Sequence, residues 1–274
     1  MIAADNELEL GEHELQRLSR LLYDASGITL HGGKGPLVIA RLRKRLMEQG
    51  YRSFAAYLDA VERDRTGAAL TELVDAMATN HTSFFREPQH FAYLQSILPQ
   101  VRARRVPVPL KVWSMPCSTG EEPYSLAISL LDAGLPAGFT ILASDLSTKA
   151  LRRARDGVYR QQTVAGLPKA VLRRHFEQGG GAEDGLVRVS ASLRRQVAFR
   201  RLNLIDLVDL GHRFDVIFCR NVLIYFDQAA QQRAIAALER HLAPGGHLFI
   251  SHSESLNAVR HSLRGVAAGV YHRT

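Results

Sequence analysis

From Lys111 onward the chain alternates short apolar runs with segments of helical period, and few architectures accept that alternation. The runs are KVWSM, FTILASD, QVAFRRLNL, FDVIFCRN and GHLFISHSE, with helical patterns at Glu121–Ala133, Ser147–Arg155 and Gln228–Leu242. The pattern predicts an α/β domain, a mostly parallel sheet with helices on both faces. GVAAGVYHR near the C-terminus reads as a last strand. Between about Asp156 and Arg195 the rhythm breaks at the Gly-rich EQGGGAEDG and the alternating LVRVS. That segment predicts a small inserted excursion containing a hairpin.

The first eighty or so residues carry a different pattern. EHELQRLSRLLYDASG repeats apolar positions at helical spacing and stops at Gly27, a good C-cap. After the turn HGGKG, Pro36 opens PLVIARLRKRLMEQG, which ends at Gly50. SFAAYLDAVERD and GAALTELVDAMAT are two further amphipathic helices, so this region predicts an all-α bundle. Between the halves LPQVRARRVPVP reads as a proline-bounded basic linker. The expected division is a helical domain at 1–86, a linker at 87–108 and an α/β domain at 109–274, with the insertion at about 156–195.

Composition narrows the setting. No apolar run approaches bilayer length, and the acidic MIAADNELELGEHEL lacks the apolar core of a signal peptide, so a cytoplasmic protein is expected. Cys117 and Cys219, the only cysteines, form no metal-ligand spacing and no disulfide framework, and no metal is expected. A formal charge of +8 implies an acidic partner, leaving nucleic acid, an anionic membrane face and an acidic protein open, beside a basic surface kept for solubility.

Ligands of open α/β sheets bind at the carboxyl ends of strands, where SMPCSTGEEP follows the first strand. A pyrophosphate cofactor favours G-x-G-x-x-G, whereas this turn keeps only Gly120 and adds Glu121 and Glu122. Carboxylates repel phosphate and favour a cation. S-adenosylmethionine, with a sulfonium and an ammonium and no phosphate, suits such a turn, and the alternative is an ordinary helix N-terminus complemented by acids. Asp145 ends the second strand, where an acid can accept both ribose hydroxyls, and Ser147 is available to cap the next helix in its place. Arg220, Asn221 and Tyr225 stand among apolar residues at the end of the fourth strand, where buried polar groups need partners. In TNHTSFFREPQHF, Phe84, Phe85 and Phe91 read as packing anchors, and Arg86 can bind a carboxylate in bidentate fashion.

TNHTSFFRE, SMPCSTGEEPYS, SDLS with AR.GVY beyond it, NL, FDVIFCRNVLIYFD and PGGHLFISHSE, in that order, resemble the CheR-type chemotaxis receptor methyltransferases of bacteria. The resemblance covers roughly Leu15 to Tyr271. It implies a Rossmann-like S-adenosylmethionine-dependent methyltransferase domain with an inserted β-subdomain, behind an all-α N-terminal domain. The implied reaction is protein-glutamate O-methylation on the cytoplasmic methylation helices of chemoreceptors, in signal transduction, with S-adenosylhomocysteine as product. Carried over by motif, the cofactor contacts fall on Asn80, Thr82, Arg86, Glu122, Asp145, Asn203, Leu204, Arg220 and Asn221. Arg86 and Tyr225 match the pair placed beside the reacting groups. Met115-Pro116 departs from the two alanines of many relatives.

In VIARLRKRLMEQ, Val38, Leu42 and Leu46 share one helical face while Arg41, Lys44 and Arg45 project from another, a candidate dock for a glutamate-rich receptor helix. The protein is expected to be a monomer, without membrane insertion and without a nucleic-acid partner. The competing readings are a nucleic-acid methyltransferase, which usually shows an Asn/Asp-Pro-Pro-aromatic motif where this chain has CRNVLIY, and a signalling module that binds cofactor without turnover.

Overall fold

Two units emerge from the computed structural model, which describes residues 8–30, 33–103, 109–135 and 138–274. One comprises Met1–Thr79 with Tyr225–Asp227, the other Asn80–Ile224 with Gln228–Thr274.

The smaller unit is helical: α1 (Glu12–Ser26), α2 (Gly35–Glu48), α3 (Phe54–Arg63) and α4 (Ala68–Met77). Gly27 caps α1 at φ 73°, and the Ser53 hydroxyl accepts the Ala56 N–H at the start of α3. Leu18, Leu22, Val38, Leu42, Leu46, Phe54, Leu58 and Leu73 are fully buried, at the helical spacings read from the sequence. Arg17 ties α1 to α3, with Asp59 and Glu62 each 2.7 Å from Nη2. The segment Tyr225–Asp227 joins this unit through an antiparallel bridge of Phe226 with Ile28 and a 2.9 Å bond from Thr29 N–H to the Tyr225 carbonyl.

The larger unit begins with α5 (Pro88–Ala103). This overturns the expected linker: Phe91, Leu94, Ile97, Leu98 and Val101 recur at helical spacing and enter the core. Pro99 lies inside the helix, where it removes one backbone bond at a cost of about 3 kcal/mol, and the buried apolar stripe outweighs it. Residues 104–108 of the expected linker lie outside the described residues.

The chain then runs through β1 (Leu110–Ser114), α6 (Glu121–Asp132), β2 (Phe139–Asp145) and α7 (Thr148–Asp156). The insertion follows, with β3 (Val158–Arg160), α8 (Gln161–Val164), α9 (Lys169–His175), β4 (Phe176–Gln178), β5 (Leu186–Val189) and α10 (Ala191–Arg194). Next come β6 (Val197–Arg201), β7 (Phe214–Phe218), α11 (Gln228–His241), β8 (Leu242–Phe249), β9 (Arg264–Ala267) and β10 (Val270–His272). The main sheet has the order β6-β2-β1-β7-β8-β10-β9, parallel from β6 to β8 and antiparallel beyond. The insertion is a three-stranded antiparallel sheet, β3-β5-β4, so it adds β3 to the expected hairpin. The expected last strand is a hairpin instead, because Gly269 at φ 66° reverses the chain and packs on the Ile250 carbonyl.

The positive charge is localised. Residues 149–201 hold thirteen Lys and Arg against four Asp and Glu, whereas residues 1–79 hold ten against twelve. The helical unit is therefore not the source of the net charge.

Candidate active site

Chain order runs outward from β1 through β2 to β6, then restarts on the other side of β1 with β7 and β8. Ligands of doubly wound sheets bind at the carboxyl ends beside this reversal. Three turns meet there: the one after β1, the one after β7, and the segment preceding α5.

After β1, Met115-Pro116 is a cis peptide and Ser118 takes φ 47°. Gly120 sits at φ 101°, where a Cβ would lie 2.8 Å from the Tyr159 hydroxyl and 3.0 Å from the Ala154 backbone. The turn's lone glycine thus serves helix packing and chain reversal. The Tyr159 hydroxyl donates to the Thr119 carbonyl at 2.7 Å, so the inserted sheet braces the turn.

The two glutamates divide their roles. Glu121 is buried and accepts from the Thr119 hydroxyl at 2.6 Å, and burial raises its pKa. Glu122 accepts from the Ser114 hydroxyl at 2.7 Å and from Arg220 Nη1 at 3.1 Å. Burial raises the Glu122 pKa as well, and the Arg220 charge opposes that rise.

Arg220 is the hub of the cluster. Its side chain is 1% exposed, between Glu122 and Glu87, whose Oε2 is 3.4 Å from Nη2. Nη2 also donates to the Arg86 carbonyl at 2.5 Å, and the guanidinium lies 5.9 Å from the Phe91 ring centroid and 5.8 Å from that of Phe218. Its Nε is buried without a partner.

Arg86 is held by an unusual backbone: Phe85 and Glu87 on either side take φ 51° and 56°. Phe85 N–H donates to the Ser125 hydroxyl at 2.9 Å, and Arg86 Nη1 donates to the His81 carbonyl at 3.0 Å. Phe84 packs edge-on against Tyr159 and Phe176, and Phe85 lies 5.1 Å from Phe91, so all three phenylalanines pack as anchors.

Asp145 is buried and already engaged, accepting from Ser118 N–H at 2.7 Å and Ser147 N–H at 2.9 Å. The Ser147 hydroxyl caps α7 by accepting from Ala150 N–H. The cap does not leave Asp145 uncommitted, since its carboxylate ties the β1 turn to the β2 turn. Ser118 also donates its hydroxyl to the Asn80 carbonyl at 3.1 Å, drawing Asn80 to the same turn.

Asn221 takes φ 58° and donates its side-chain amide to the Ser251 hydroxyl at 2.8 Å. Asn203 accepts from Ile205 N–H at 3.3 Å and Leu204 is buried, both just beyond β6. Thr82 is half-buried in the segment preceding α5. Tyr225 ends the 3-10 turn Leu223–Tyr225 and is grouped with the helical unit.

Two acids of this cluster are not apparent from the sequence. Glu87 accepts the Ser251 hydroxyl at 2.7 Å. Burial works to raise its pKa, but Ser251 and Arg220 outweigh that and hold it below the usual range. Glu254 accepts four backbone N–H groups, and burial still raises its pKa. The available signal was that each acid is the last residue of an ordered motif, TNHTSFFRE and PGGHLFISHSE. Glu87, His90 and His252 also bring potential ligand atoms within 4.8 Å of one another. Arg220 already lies against the shared Glu87 oxygen, and the two rings stack at 4.3 Å rather than converge.

On α2, Arg41 donates to the Met77 carbonyl and the Thr79 hydroxyl, and Arg45 pairs with Glu72. These two arginines therefore hold α2 to α4, and the expected three-residue free cationic face is reduced to Lys44, 86% exposed, with Glu48 3.7 Å away. The outer face around Lys44 is a shallow apolar surface formed with Ile39, Ala40, Arg43 and Met47.

A sheet reversing beside β1, an acid closing β2 and an acid-bearing turn without the pyrophosphate glycines define a Rossmann-like domain of the S-adenosylmethionine-dependent methyltransferase class. Comparison with known proteins refines this. The family described as CheR methyltransferase, SAM binding domain matches residues 80–271, and CheR methyltransferase, all-alpha domain matches 13–78. The chain belongs to the CheR methyltransferase family. It is 38% identical over 270 residues to the chemotaxis protein methyltransferase of Escherichia coli K12, covering 97% of this chain and 93% of that one. It is 41% identical over 255 residues to the chemotaxis protein methyltransferase of Klebsiella aerogenes, covering 92% and 86%. The family boundary between 78 and 80 coincides with the division at Thr79 and Asn80 rather than with the expected 86.

Proposed function

We propose that this protein methylates the side-chain carboxylate of glutamates on the cytoplasmic methylation helices of chemoreceptors, acting as a cytoplasmic monomer and leaving glutamate methyl esters. The observation that carries the reading is the near full-length relationship to chemotaxis protein methyltransferases in both domains.

The crevice residues fit S-adenosylmethionine. The β1 turn has no phosphate cradle, Glu122 supplies a carboxylate at its edge, and Arg220 keeps a buried Nε without a partner. Asn80, Thr82, Arg86, Glu122, Asp145, Asn203, Leu204, Arg220 and Asn221 are assigned to hold it. Bound there, it supplies an electrophilic methyl group. An acceptor glutamate is ionised at neutral pH, so this chain needs no general base. Its task is to align the attacking oxygen, exclude water and neutralise charge. Arg86 is assigned to hold a carboxylate and Tyr225 to orient the reacting groups through its hydroxyl. On α2, Lys44 and Arg43 with the apolar face between them offer a receptor helix both contact and charge complementarity.

The test is methyl transfer from labelled S-adenosylmethionine to receptor-containing membranes. Ester label is released as methanol by mild alkali, and alkali-stable label, or label appearing on RNA or DNA instead, would refute the assignment.

A further inference from the structure

The turn after β7 carries Arg220 and Asn221, yet its own geometry is unfavourable. Asn221 is in the left-handed region at φ 58°, which residues other than glycine adopt uncommonly, asparagine more readily than most. The N–H groups of Asn221, Val222 and Leu223 all converge on one side chain. Glu254 Oε2 accepts from Asn221 N–H at 3.0 Å and from Ser251 N–H at 2.8 Å. Its Oε1 accepts from Val222 N–H at 2.9 Å and Leu223 N–H at 2.8 Å.

We propose that Glu254 is a positioning residue, which fixes the turn Arg220–Leu223 in the shape that presents Arg220 and Asn221 to the cofactor. The inference rests on the reading of those two residues as cofactor-binding. Each carboxylate oxygen takes two N–H groups, so both oxygens must be acceptors. The Glu254 N–H donates to the Ser251 carbonyl at 3.0 Å, closing a tight turn that aims the carboxylate back at β7. Ser251 extends the link: its hydroxyl accepts from Asn221 Nδ2 and donates to Glu87, the other partner of Arg220. Glu254 thus joins the ends of β7 and β8 and reaches the cofactor crevice only through backbone.

Glu254→Gln is the decisive variant because it conserves size while replacing one oxygen with an NH2 group. That group faces two N–H donors, and neither rotamer of the amide avoids this. The full-length variant should bind S-adenosylhomocysteine at least about tenfold more weakly by calorimetry, as expected on losing charge-assisted bonds. Its cofactor KM should rise, and backbone hydrogen exchange should quicken at Asn221–Leu223. A purely structural role would lower the active fraction and the apparent kcat, leaving the cofactor KM of the folded molecules unchanged. Unchanged affinity and KM would overturn the proposal, as would a variant that does not fold, which would make Glu254 a support of the sheet. Asn221→Ala separates the two levels: if it too binds S-adenosylhomocysteine normally, the cofactor assignment of the turn has failed. If Asn221→Ala weakens binding and Glu254→Gln does not, only the role of Glu254 falls.

Discussion

Arg220→Met tests whether one guanidinium sustains the buried carboxylates at the strand ends. In the native protein Arg220 lies 3.1 Å from Glu122 and 3.4 Å from Glu87, with those carboxylate side chains 12% and 17% exposed. Methionine keeps the apolar packing against Phe91 and Phe218 but leaves both acids without their cation. Breaking a buried pair by removing one partner costs about 3–5 kcal/mol. For a chain of this size that lowers the melting temperature by roughly 6–20 °C. The loss should depend on pH. Burial already raises the Glu122 pKa against the pull of Arg220, so without the guanidinium it rises further. An acid whose folded pKa is raised contributes stability at low pH that is lost as pH climbs through the folded value. Glu87, held low partly by Arg220, contributes in the opposite sense: its native stabilisation is present above the unfolded pKa and is lost as pH falls through the folded one. The Glu122 effect makes the variant's deficit larger at about pH 8 than at about pH 5, whereas the Glu87 contribution, lost only below the usual carboxylate range, is present at both. Thermal and urea unfolding of ligand-free wild type and variant at both pH values measure it. Adding Glu122→Gln should recover part of the loss, because the stranded charge is removed. Melting temperatures within about 2 °C of wild type at both pH values would refute the account of Arg220 as the charge that sustains the cluster.

Asp145→Ala should weaken S-adenosylhomocysteine binding by roughly 2–4 kcal/mol if two charge-assisted bonds are lost, measured by calorimetry on folded protein. Because Asp145 also ties Ser118 to Ser147, a modest loss of thermal stability should accompany it. Tyr225→Phe should fold normally and bind cofactor but turn over more slowly, and a wild-type methylation rate would make Tyr225 a packing residue. Lys44→Glu should weaken receptor methylation without altering cofactor affinity, and the wild-type reaction should slow as salt shortens screening to about 8 Å. Arg45→Glu should instead lower the melting temperature of the protein, because it sets like charges together at Glu72.

Periodicity made most helices and the parallel strands legible, because burial on one face of a helix, or on both faces of a strand, forces a local pattern. Gly27 and Ser147 were readable as caps for the same reason: a chain end supplies its own partners within a few residues. The family and its cofactor class were readable from the ordered motifs at strand ends. What the sequence left undetermined depended on partners distant along the chain. α5 looked like part of a linker because the prolines and arginines of LPQVRARRVPVP are local signals, while the core that accepts Phe91, Leu94 and Leu98 is assembled from elsewhere. Arg41 and Arg45 looked like free cations because their partners, Met77, Thr79 and Glu72, are 27 to 38 residues away. Asp145 looked uncommitted because Ser118, 27 residues earlier, is brought to it only by the pairing of β1 with β2. Glu254 follows the same rule: its carboxylate meets the N–H groups of Asn221–Leu223 only after β7 and β8 lie side by side, a proximity set by the tertiary fold.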